Sequence, residues 1–349
     1  MRSFDYRSLP QELLSPRIMN LVSEIHEYRG KQDLYIAQKP EVLATLCDVA
    51  KIQSTGSSNT IEGIRTTDAR LRDLMNENVA PRNRDEEEIL GYRDVLTIIH
   101  ESYDAIPVTP NYILQLHKIL YAHGRLSFGG RWKDSNNAIV EIDANGNRHV
   151  RFKPTPAIAV PNAMDEICQA YNDAIAAGEI DPLLLTALFT LDFVCIHPFN
   201  DGNGRMSRLL TLLLLYRSGY LVGKYVSIER EIERSKELYY DALQACSPGW
   251  NEGTNATLPF VYYLLWCIAN AYEKFANRAE GLMLARRSKS QRVEDTVRQH
   301  LGNISKAQIL DANPDISMAT VEKALAQMLS QGKIAKVGAA RATKYHWVG

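Results

Sequence analysis

His197-Pro198-Phe199-Asn200-Asp201-Gly202-Asn203-Gly204-Arg205-Met206-Ser207-Arg208 is a polar stretch set between two apolar ones. Before it runs Asp181-Pro182-Leu183 to Ile196, with Asp181 as an N-cap and Pro182 at the first helical position. After it runs Leu209 to Tyr216, ended by Ser218-Gly219. Both flanks read as buried helices, so the stretch is a turn between two core helices. Gly202 and Gly204 free the backbone for conformations closed to other residues, and consecutive N–H groups there can form a concave nest. The helix that follows at once points its positive end the same way. Arg205 and Arg208, three apart, lie on one face of that helix. Two guanidiniums beside such a nest make a polyphosphate site. Asp201 adds an oxygen ligand suited to magnesium shared with phosphate. His197 adds a side chain whose ordinary pKa suits general-base work near neutrality. A bare Gly-Asn-Gly reads as a plain helix–helix turn; four chemical roles filled within twelve residues do not.

The stretch resembles the signature of the Fic family, HPFxxGNGRxxR with an acidic residue before the first glycine, and every fixed position is present. The resemblance implies AMP transfer from ATP to a Tyr, Thr or Ser hydroxyl of a target protein, with Mg2+, and also to the protein itself. It assigns His197 as the base and Asp201 as the metal ligand. It places Gly202, Asn203, Gly204 and Arg205 on the phosphates, with Met206 and Ser207 beside them. Arg208 would bind the γ-phosphate, and Phe199 would anchor the loop in the core. A donor other than ATP, or AMP removal, stays open.

The remaining chain is consistent with a mainly α protein. Its 349 residues suffice for two or three domains. With 40 basic and 41 acidic residues, no dominant nucleic-acid or membrane surface is expected. Five cysteines without a CxxC pair suggest reduced thiols and a cytoplasmic protein. No apolar run reaches membrane-spanning length. Helical patterns fall at 16–28, 40–55 and 67–77, and the acids Asp85 to Glu88 suit a helix N-terminus. Another helix covers 109–123, where His117 and His123 do not share a face and read as packing or surface residues.

Residues 54–66, STGSSNTIEGIRT, read by physics alone as a turn or a capped helix start, with Glu62 an ordinary surface carboxylate. Against the family, Ser58-x-x-x-Glu62-Gly63 resembles an inhibitory motif, [S/T]xxxE[G/N], on a helix preceding the core. The resemblance implies that Glu62 pairs with Arg208 and blocks productive ATP placement. Residues 137–152 give a β-hairpin signal, with a turn at Asp143–Asn147. The family has a target-binding flap there, which would put Ile139 and Val140 near nucleotide or target. Tyr239 and Tyr240 resemble a tyrosine pair beside the adenine; core packing is the plainer alternative.

Residues 286–349 open on a basic linker, Arg286 to Arg292, and then read as three helices and two strands, resembling a winged helix-turn-helix domain. Ser317 would cap its recognition helix, with Arg341 and Lys344 on the wing. The helix offers few base readers, so protein contact or a homodimer is as plausible a use as DNA. The expected layout is thus a helical N-terminal region over 1–108, a Fic-fold core with a flap over 109–280 and a winged-helix domain over 286–349. The competing reading is a DNA-binding regulator whose core only senses nucleotide.

Overall fold

The computed structural model describes residues 2–38, 40–76, 79–124, 129–142, 148–284, 288–300, 302–313, 316–338 and 343–348. Helices carry most of it: α1 (Pro16–Gln38), α2 (Pro40–Ile61), α3 (Asp68–Leu74), α4 (Arg84–Ser102) and α5 (Pro110–Leu120) precede a hairpin of β1 (Ile139–Ile142) and β2 (Arg148–Phe152). Then come α6 (Val160–Ala177), α7 (Pro182–Ile196), α8 (Asn203–Arg217), α9 (Ile228–Arg234), α10 (Lys236–Cys246) and α11 (Leu258–Leu284). The last elements are α12 (Lys289–Gln299), β3 (Ile304–Ser305), α13 (Lys306–Ala312), α14 (Met318–Ser330), β4 (Ile334–Val337) and β5 (Lys344–Trp347). The chain divides into two compact units, Met1–Ala276 and Asn277–Gly349.

In the first unit α7 and α8 form the central pair. Nearly every side chain of both is buried, which is why neither shows an apolar stripe in sequence. Asp181 caps α7 by accepting from Leu183 N at 2.9 Å, behind Pro182, as the sequence predicts. The one acid inside α7, Asp192, is 1% exposed. It accepts from Tyr6 Oη (2.7 Å) and Trp250 Nε1 (2.7 Å) and pairs with Arg2. Burial raises its pKa, and those three partners oppose the rise. They also pin the extended N-terminal arm to the core.

Two helices run well beyond the sequence expectation, α1 and α2. α1 continues past Tyr28, because Gln32, wholly buried, bonds Gly219 O, Leu221 N and Tyr272 Oη. α2 continues through Ser54–Ile61, which local composition reads as a turn or a capped helix start. These small polar residues are helical because they are buried against distant partners. Ser54 Oγ donates to Glu229 at 2.7 Å, and Ser58 Oγ accepts from Arg208 Nε at 2.8 Å. The helix stops at Gly63, whose φ of 85° suits glycine, while Ile64 N closes back on Asn59 O at 3.0 Å.

The hairpin forms antiparallel, with Val140 opposite Val150 and an irregularity between Ile139 and Val140. Its predicted turn, Asp143–Asn147, lies outside the described residues. The second unit packs α12, α13 and α14 on an antiparallel sheet of order β3-β5-β4. Val293, Val297, Val321, Leu325 and Tyr345 form its core. Ser317 caps α14 by accepting from Thr320 N, and Lys344 is exposed. Arg341 lies outside the described residues. The two-residue β3 is absent from the sequence reading; it is too short to carry an alternation. Among the described residues no helix is long and apolar enough to cross a membrane.

Candidate active site

The turn between α7 and α8 is held from beneath. Phe199 is wholly buried, stacked between His117 (ring centroids 3.6 Å) and Trp132 (5.2 Å). Asn203 staples the turn, accepting from Phe199 N at 2.9 Å and donating to Phe199 O at 2.8 Å. His117 braces it a second time. Gly130 N donates to its Nδ1 at 3.0 Å, so Nε2 carries the hydrogen and donates to Asp201 O at 3.1 Å. Lys133, 3% exposed, brackets His197. Its backbone N donates to Pro198 O at 2.8 Å, and its Nζ reaches Ile196 O at 3.4 Å and Asn137 Oδ1 at 2.8 Å. Burial lowers the Lys133 pKa to about 8.

This bracing fixes His197. His197 is the one non-glycine among the described residues with positive φ, 52°, a conformation that costs on the order of 1 kcal/mol or more and persists where surroundings dictate it. Its Nδ1 lies 3.3 Å from Val194 O and so carries the ring hydrogen, which leaves the Nε2 lone pair to accept a proton. Burial pushes its pKa down to about 4; the bond to Val194 O opposes this and the Lys133 charge adds to it. At neutral pH the ring is therefore in its proton-accepting form.

The anion seat lies at the start of α8. Met206 N makes the first helical bond, to Gly202 O at 2.9 Å, so the amides of Asn203, Gly204 and Arg205 open the helix ahead of it. Arg208, 3% exposed, crosses this end. Its Nε donates to Ser58 Oγ (2.8 Å) and its Nη2 to Ser58 O (2.9 Å) and Glu62 Oε1 (2.9 Å). A Cβ built on Gly204 would stand 2.1 Å from Glu62 Oε1. The Glu62 carboxylate therefore lies directly on the helix N-terminus, where an anion is favoured. Lys236 Nζ donates to Ile61 O at 2.6 Å and so clips the end of α2 that carries Glu62.

The predicted residues do not all meet the seat alike. Asp201 stands at its mouth, its side chain 46% exposed, with Oδ1 accepting from Gly202 N at 2.7 Å and Oδ2 facing Arg84 at 3.4 Å. Arg205 is 1% exposed beneath the loop, paired with Glu88 (2.7 Å) and donating to Tyr121 Oη (2.8 Å). Asn203 acts as the staple already described. Met206 is wholly buried with its N–H bonded, and Ser207 Oγ donates to Gly204 O, so neither side chain reaches the seat. Tyr239, 4% exposed, lies within the fields of Arg208 and Glu62, and burial raises its pKa. Tyr240, half-buried beside it, is pushed up to about 12 by burial and then by Glu62. Val140 is 48% exposed on the hairpin, and Ile139 pairs with Phe152.

The residues fit a metal-bound nucleotide. Arg208 Nη1 is buried with no hydrogen-bond partner among the described residues, beside a seat now taken by a carboxylate. A single exposed carboxylate next to a phosphate seat is the donor set that magnesium shares with phosphates and water. No cluster of three metal-ligating side chains occurs among the described residues.

A histidine in its proton-accepting form, a helix N-terminus holding a carboxylate and the half-exposed Asp201 thus lie together on one helical hairpin. Residues 107–215 match the Fic/DOC family, and the chain carries a Fic domain. It is 30% identical over 271 residues to the Protein adenylyltransferase Fic of Drosophila melanogaster, a match covering 76% of this chain and 48% of the relative. To the protein of the same name from Nematostella vectensis it is 26% identical over 179 residues, 49% of this chain and 39% of that one. The chain thus spans about half the length, or less, of the curated relatives it matches. A Fic family protein from Desulfovibrio desulfuricans G20 superposes with a TM-score of 0.63 at 22% identity, covering 98% of this chain and 99% of that one. That likeness establishes the Fic fold.

Proposed function

We propose that the protein transfers AMP from ATP to a Tyr, Thr or Ser hydroxyl of a protein substrate, and that Glu62 restrains the reaction. The observation that carries this reading is the Glu62 carboxylate seated on the α8 N-terminus against Arg208, an anion held where a phosphate would lie. Relatives named protein adenylyltransferase support the reaction class.

In this mechanism Glu62 withdraws, and Arg208 and the first amides of α8 take the distal phosphates. The target hydroxyl approaches His197, whose Nε2 takes its proton as the oxygen bonds to the α-phosphorus. The bond from that phosphorus to the bridging oxygen breaks, and pyrophosphate leaves with its charge on the α8 N-terminus. Asp201 would hold Mg2+, which when bound neutralises phosphate charge. Tyr239 and Tyr240 stand next to Arg208 and would wall the nucleotide.

The order of helices and strands after α11 supports reading the second unit as a winged helix-turn-helix. The exposed charges of α14 are Glu322 and Lys323, which favours a protein partner over DNA there. The reaction class is tested with ATP labelled on the α- or the γ-phosphate and the Glu62→Gly chain. Incorporation of α-label alone is expected; incorporation of γ-label would make the protein a phosphotransferase instead.

A further inference from the structure

Asp201 has two oxygens, and both are engaged. Oδ1 accepts from Gly202 N within its own loop, so Oδ2 is the oxygen left for a cation. Arg84, the first residue of α4, holds its Nη2 3.4 Å from that Oδ2. Such a contact between exposed groups is ordinarily loose. Here the guanidinium is also tethered, because its Nε donates to Glu88 Oε1 at 2.7 Å. Glu88 is itself fixed, 6% exposed, with its other oxygen 2.7 Å from the buried Arg205. One buried carboxylate thus joins a guanidinium under the loop to a second one over its mouth.

We propose that Arg84 is the resident counter-ion of Asp201 and that a divalent cation must displace it for a metal-bound nucleotide to seat. This rests on the reading of Asp201 as the metal carboxylate. The helices preceding the matched family region then supply two stand-ins of opposite sign. Glu62 occupies the place of a phosphate, and Arg84 occupies the place of the cation that would accompany it. The two act on different partners, so releasing one does not release the other.

The test uses the full chain with Glu62→Gly and His197→Ala, which leaves the phosphate seat open and prevents turnover. ATP affinity is measured by calorimetry in EDTA and in Mg2+, and the ratio gives the gain due to the metal. Arg84→Gln is expected to raise that gain about three- to tenfold, by ending both the competition and the repulsion of the ion. Arg84→Lys should keep the parent gain, and Asp201→Asn should abolish it. An unchanged gain in Arg84→Gln overturns the proposal. So does a loss of ATP affinity in both buffers, which would make Arg84 a phosphate ligand. If the parent itself binds ATP equally with and without Mg2+, the assignment of Asp201 fails, and this inference falls with it.

Discussion

Gly204→Ala separates the packing at the seat from the chemistry done there. Gly204 lies in the first turn of α8 without a positive φ, so alanine suits its backbone and would gain at most about 1 kcal/mol in helix propensity. The added Cβ, however, would stand 2.1 Å from Glu62 Oε1 and 3.3 Å from Arg208 Nη1. The carboxylate ends a flexible side chain and is the group that must leave. Arg208, 3% exposed, then keeps only its bonds to Ser58. Breaking a buried pair on one side costs about 3–5 kcal/mol, a figure reduced here to about 1–3 because Glu62 is 33% exposed. Gly204→Ala alone should therefore lower the Tm by a few degrees. In a Glu62→Ala background it should be neutral or slightly stabilising. A thermal-unfolding cycle of the four chains should give a coupling of about 1–3 kcal/mol between the two positions. Activity should diverge from stability, because Gly204→Ala expels Glu62 yet leaves a methyl where the phosphate would go. It should not raise AMP transfer, whereas Glu62→Gly should. Additive effects within about 0.5 kcal/mol would refute the placement of Glu62 over Gly204.

Three buried histidines set an acid limit: burial lowers His100 to about 3 and His117 and His197 to about 4. The unfolded chain takes up these protons below about 6.5 and the folded chain does not, so stability should fall as pH drops from about 6.5 toward 4; a Tm that is level across that window would contradict these burials. Lys133→Met keeps the backbone bond to Pro198 O but removes the Nζ donor on the other side of His197 and should lower turnover about ten- to a hundredfold at unchanged KM for ATP, measured by steady-state AMP transfer in the Glu62→Gly chain. Glu88→Ala strands the Arg205 charge under the loop and should lower stability by about 3 kcal/mol or more; a Tm within a degree of the parent would show that Arg205 finds another partner.

The turn at 197–208 was legible because its chemistry is local: base, carboxylate, glycines and arginines follow one another, and Asp181 with Pro182 marks where the preceding helix begins. Ser58, Glu62 and Gly63 were found only by resemblance, since nothing within 54–66 says that these small polar residues meet Arg208. Their partners lie more than a hundred residues away, and burial by distant chain carried the helix through a stretch that local propensity reads as a turn. The same distance hid the loop's braces. Glu88 sits in an acidic run that serves the helix dipole at Asp85, Glu86 and Glu87, and nothing marks the fourth acid as the partner of Arg205. His117 and Lys133 gave no signal of their own; a histidine facing the core side of an amphipathic helix is a weak hint at best. Asn203 and Arg205 show the converse. Their place in the motif suggests phosphate contact, whereas their side chains hold the loop from within.

Restraint by Glu62 and proton acceptance by His197 are both read in the initial rate of AMP transfer from α-labelled ATP with Mg2+. The rate is compared across the parent chain, Glu62→Gly, and Glu62→Gly with His197→Ala. Little label is expected in the first, strong label in the second and none in the third. Equal rates in the first two would remove Glu62 as the restraint, and label persisting in the third would remove His197 as the base.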